Sequence, residues 1–245
     1  MFRTRKALAV AGVAALLTSL TACTALPNAS STPATSATAP AQSNDRTYTK
    51  ADLGSILTSV NTQLKLGGTV ETQDGQQNPD LDSLRAAIGS SATFTPASCA
   101  SLIKSDVQLG SLGVVAGTLT SSQLNLIAST VAGTALPPAL MSGFASTQTA
   151  ILSTCKHMTI TASVEGRNVS VAVDVTPLSV KTDASQSVGF TEKFAITGGG
   201  GASTSTRTVV EAVDGNLLLL ASGVSVQDGP GLAKAINAAV AAGRH

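Results

Sequence analysis

The chain has 245 residues, of which 43% are apolar but only 12% charged and 2% aromatic, with no Trp. The formal charge is +1, and about −2 once the basic residues of the leader described below are set aside. With no basic patch, almost no aromatic stacking groups, two His and three Cys, the composition argues against nucleic-acid binding and against a dedicated transition-metal site or other cofactor.

Residues 1–22 have the three parts of a secretory leader. Arg3, Arg5 and Lys6 form the basic start, Ala7 to Leu17 the apolar run, and small residues follow. The apolar run falls short of the ~20 residues that a membrane-spanning helix needs. Leu20-Thr21-Ala22-Cys23 resembles the bacterial lipobox. In a lipobox the Cys thiol receives a diacylglycerol through a thioether and the leader is cut just before it. That resemblance implies lipidation at Cys23 and, with two or more acyl chains such as palmitate, stable attachment to the outer face of the cytoplasmic membrane. Residues 23–47 carry Pro27, Pro33 and Pro40 among Ser, Thr and Ala, and no charge before Asp45. Such a stretch cannot bury a core and is expected to be a disordered tether, reaching roughly 25–30 Å as a coil of about 24 residues. Its Thr/Ala/Pro content also resembles that of glycosylated tethers.

With Cys23 lipidated, Cys99 and Cys155 remain. An even pair in an exported domain reads as a disulfide. It would close a loop of about 57 residues, a stabilisation of roughly 4 kcal/mol in the chain-entropy model. A redox role is disfavoured by the lack of a Cys-x-x-Cys spacing.

A folded domain is expected over 48–245. Thr49-Lys50-Ala51-Asp52 is a capping-box-like start, and Leu53, Ile56, Leu57, Val60 and Leu64 form a helical stripe ended by Gly67-Gly68. Glu71 to Asp82 reads as a polar loop, whose Asp74, Asn78, Asp80 and Asp82 only loosely resemble a Ca²⁺ loop. Leu81, Leu84, Ala87 and Ile88 suggest a short second helix. Between Cys99 and Ala132, Val107, Leu109, Val114 and Leu119 suit strands. Leu124, Leu126 and Ala128 alternate, while Leu124, Ile127 and Val131 also fit a helix; the strand reading is preferred. Pro137-Pro138 opens a helix running to about Thr154, with Phe144, Gln148 and Ile151 on its stripe.

The second half reads as antiparallel sheet. Met158, Ile160, Ala162 and Val164 alternate with polar residues, as do Val169, Val171, Val173 and Val175 after Glu165-Gly166-Arg167-Asn168, a hairpin signal. Pro177 is expected to end or bend the second strand. Val188, Phe190, Phe194 and Ile196 share one face of a third. Gly198 to Ser205 reads as a flexible loop. A hairpin turns at Asp214-Gly215-Asn216, and Leu217 to Leu220, apolar on both faces, belongs at the sheet centre. Asp228-Gly229-Pro230 starts a last helix with Leu232, Ile236, Ala239 and Val240 buried. The fold class expected is α+β, a single domain built on a twisted antiparallel sheet with flanking helices.

Motifs for chemistry are sparse. Gly198 to Gly201 lacks the Lys-Ser/Thr of a phosphate loop, and no Gly-x-Ser-x-Gly elbow occurs. A nucleophile would need His157 or the terminal His245 as its base. Glu165, Asp174, Glu192 and Glu211 are scattered acids with no sign of a paired-carboxylate site, and they read as surface charges. Asn168-Val169-Ser170 fits a glycosylation acceptor by pattern alone. No catalytic residue is assigned.

Over 48–245 the chain resembles the extracellular sensor-like domain of the mycobacterial receptor kinase PknH and related actinobacterial lipoproteins. The resemblance rests on Tyr48-Thr49-Lys50-Ala51-Asp52-Leu53, on Pro96-Ala97-Ser98-Cys99, on the helix ending in Cys155, and on Leu217 to Val226 followed by Asp228-Gly229-Pro230-Gly231 and an Ala-rich helix. It implies a twisted antiparallel sheet with flanking helices and a cleft, binding an extracytoplasmic ligand without catalysis. The family usually carries a second disulfide and Trp residues, both missing here, so no family site residue is carried over. The function expected is that of a membrane-anchored, non-catalytic ligand-binding or sensor-like lipoprotein of the cell envelope. Its partner would be a small molecule, a lipid or an envelope protein. The alternative is a lipid or glycolipid carrier, with Leu217 to Leu220 and the valine-rich strands lining an apolar cavity.

Overall fold

The computed structural model describes residues 46–73, 92–100, 114–131, 133–136, 144, 148–164, 167–198, 201–224 and 226–245. Cys23, the Asp74–Asp82 segment, the helix expected at 81–88, the strand positions Val107 and Leu109, Pro137-Pro138 and Glu165 lie outside them.

The first helix, α1 (Lys50–Leu64), starts at a true capping box. Thr49 Oγ1 accepts from the Asp52 N–H, and Asp52 Oδ2 accepts from the Thr49 N–H at 2.8 Å, so two otherwise orphaned donors are satisfied. Lys65 ends the helix in the left-handed conformation. The Asn61 side chain then brackets Gly68, donating to its carbonyl and accepting from its N–H, which turns the chain directly into a strand.

That strand, β1 (Thr69–Gln73), replaces the beginning of the polar loop expected from Glu71. Its half-buried Val70 and its pairing with β3 (Val114–Thr120) supply what local propensity does not. The other strands are β2 (Thr93–Thr95), β4 (Asn125–Val131), β5 (His157–Val164), β6 (Arg167–Leu178), β7 (Gln186–Gly198), β8 (Gly201–Asp214) and β9 (Leu217–Gly223). Helical residues 148–154 form α2, and α3 (Gly229–Gly243) closes the chain. All pairings are antiparallel, in one nine-stranded sheet of order β1-β3-β4-β9-β8-β7-β6-β5-β2. The α+β single domain expected from the sequence is the fold observed. The strand reading of Asn125–Val131 holds, and β9 is central as its two apolar faces require.

The loop expected from Gly198 to Ser205 also needs correction. Residues 201–205 are not a loop: they begin β8 and pair with β7 as far as Gly198↔Gly201. Their Ser and Thr are polar but β-branched or small, and a long partner strand is enough to order them. Pro177 stands one residue before the end of β6 at Leu178. Beyond Asp174 the β5 partner has run out, so Pro177 pairs only with Phe190 of β7 and the missing N–H costs no ladder bond.

The sheet is covered on different halves of its two faces. On the first face α1 and α3 pack over β3, β4, β9 and β8, burying Leu53, Leu57, Val60, Leu126, Leu217, Leu219 and Ile236. Gly117 of β3 is needed there, because a Cβ would meet Leu57 Cδ1 at 2.7 Å; α1 lies directly on the backbone. On the second face Cys99, Ile151 and Cys155 pack over β5, β6 and β7 against Met158, Val171, Val173, Phe190 and Phe194. Cys99 and Cys155 form the expected disulfide, Cα atoms 5.7 Å apart and both side chains fully buried. It ties the 98–100 helical turn to the end of α2 on the valine-rich strands.

Candidate functional site

Two open grooves flank α1. The larger, about 860 Å³, runs between α1 and β1 and is lined by small and hydroxyl-bearing residues, among them Gly54, Ser55, Thr58, Ser59, Thr62 and Thr72. It exists because α1 turns Ala, Gly, Ser and Thr away from its buried stripe, and Gly54 lets β1 approach, its virtual Cβ standing 3.3 Å from Thr72. The smaller, about 400 Å³, is framed by Arg46, Asp52, Ile56, Ala242 and His245. The Thr49 hydroxyl and N–H hold the Asp52 carboxyl below its ordinary pKa, and Arg46, 2.9 Å away, adds to the effect. Hydroxyls in the larger groove offer hydrogen bonds to a neutral polar ligand and no titrating group for proton transfer.

The histidine singled out in the sequence is elsewhere. His157 opens β5 opposite Asp174 of β6, and His157 Nδ1 and Asp174 Oδ1 lie 2.7 Å apart. The side chains are 70% and 58% exposed, on open sheet surface rather than in a cleft. His245 lies far along the chain at the rim of the smaller groove, so the two histidines are on separate parts of the surface. Among the described residues no three His, Cys, Asp or Glu converge as metal ligands would. Asn168 is exposed at the start of β6. Gly198 has φ 99°, and a Cβ there would collide with the Asn168 carbonyl, so its glycine closes a strand turn.

Two of the acids expected as surface charges are buried. Glu192 and Glu211 are 5% and 4% exposed. Glu192 stands on the second face between Phe190 and Phe194, and Arg207, opposite it on β8, donates from Nε to Glu192 Oε2 at 2.8 Å. The guanidinium also lies over the Phe194 ring, 5.0 Å from its centroid. Burial pushes the Glu192 carboxyl above its ordinary pKa, with Arg207 pulling the other way. Glu211 follows four residues after Arg207 on the same face. Sequence parity holds the signal: Glu192 falls in the same alternating series as Phe190 and Phe194, although its acidic type by itself suggests an outward side chain.

Leu217 and Leu219, which a lipid-carrying cavity would need on its wall, are packed under α1 and α3 at 0% and 3% exposure. No helix among the described residues is long and apolar enough to cross a membrane.

No protein-family model matches the chain, and no curated protein does. Two solved structures are similar in chain path. One is a Mycobacterium smegmatis protein, the ortholog of Rv0999, at 15% identity over 78% of this chain and 96% of that one, with a TM-score of 0.38. The other is the extracellular domain of PknH from Mycobacterium tuberculosis, at 13% identity over 81% of this chain and 99% of that one, with a TM-score of 0.45. Both are likenesses at low identity, and no residue role is carried across from either.

Proposed function

We propose that the chain is an exported lipoprotein, acylated at Cys23, whose 23–47 tether holds a non-catalytic binding or sensor-like domain at the outer face of the cytoplasmic membrane. The observation that carries this reading is the buried Cys99–Cys155 disulfide, in a chain that begins with a basic and apolar leader ending in Leu20-Thr21-Ala22-Cys23. Structural disulfides belong to oxidising compartments. The hydroxyl-lined groove beside α1 is the candidate place for a neutral polar ligand.

The test is expression of the full chain in an actinobacterial host with labelled palmitate, beside Cys23→Ser. The expected result is a labelled protein in the membrane fraction, and an unlabelled, released Cys23→Ser variant. Label retained by the variant, or an unlabelled soluble wild type, overturns the anchor. Native mass spectra of the released variant, before and after denaturation, address the domain itself. A lipid-sized mass lost on denaturation would replace the sensor reading with carriage of that lipid.

A further inference from the structure

We draw no further inference here: the strongest candidate, the surface patch on the first face of β5, β6 and β7, where the exposed Ser163, Thr176 and Thr197 flank the His157–Asp174 pair, carries nothing because nothing in the structure shows what covers it.

Discussion

Replacing Arg207 by Met removes the cation that faces a buried carboxylate. The Glu192 side chain is 7% exposed and that of Arg207 20%, so neither charge is fully hydrated. Removing one member of a buried pair costs about 3–5 kcal/mol, because the other is left uncompensated. For a domain of this size, with a urea m-value of about 2–3 kcal/mol/M, the midpoint should fall by about 1–2 M. The effect depends on pH. The Glu192 carboxyl has its pKa raised by burial, so the native state holds that proton to a higher pH than the unfolded chain. Its contribution is fully present below the unfolded value of about 4.3 and is lost as pH rises through the raised folded value. Without Arg207 the folded value climbs further. The deficit of Arg207→Met against wild type is therefore larger at neutral pH than at mildly acidic pH, since it shrinks as pH falls through the raised folded value. The double variant Glu192→Gln/Arg207→Met should recover most of the loss at neutral pH. Urea unfolding of wild type and both variants at the two pH values is the assay. A double variant no more stable than Arg207→Met, or a deficit independent of pH, would refute charge compensation and assign the arginine's effect to packing on Phe194.

Loss of the disulfide in Cys155→Ser should destabilise the domain by about 4 kcal/mol, the chain-entropy value for closing so long a loop, since the cysteines are 56 residues apart. Reduction of the wild type should reproduce that shift in urea midpoint, and a change smaller than about 1 kcal/mol would contradict the chain-entropy account. Arg244 Nε and Nη2 donate to both carboxylate oxygens of Asp214, whose side chain is 2% exposed. Arg244→Ala should therefore cost about 2–3 kcal/mol and speed hydrogen exchange in the last turn of α3. Unchanged exchange there would show that the Tyr48 hydroxyl bond to the Gly243 carbonyl holds the helix end alone.

Elements with a strong internal period are legible in the amino-acid sequence. The stripe Leu53, Ile56, Leu57, Val60 is the buried side of α1, and the alternating valines of β6 all face the second core. The short strands β1 and β2 are not legible in this way. At the sheet margins their identity comes from one neighbour each, not from their own residues. Gly201 to Ser205 reads as a loop for the same reason: its strand character comes from β7. Of the candidate site residues, the disulfide pair follows from cysteine arithmetic, and among the described residues His157 lies with Asp174 on the surface rather than beside a nucleophile in a cleft. Glu192 and Glu211 depart from expectation because strand parity, rather than residue type, decides which way each side chain points.

By itself, then, the sequence determined the helical and strand periods, the central place of the Leu217–Leu220 strand, the disulfide pair and the expectation of a leader ending at Cys23. These depend on neighbours a few residues apart or on the chemistry of single side chains. Tertiary structure alone decided the strand order, which half of each face the helices cover, and the pairing of Glu192 with Arg207. Each of these arises from contacts between segments distant in the chain, where register and close approach, rather than local propensity, select the partner.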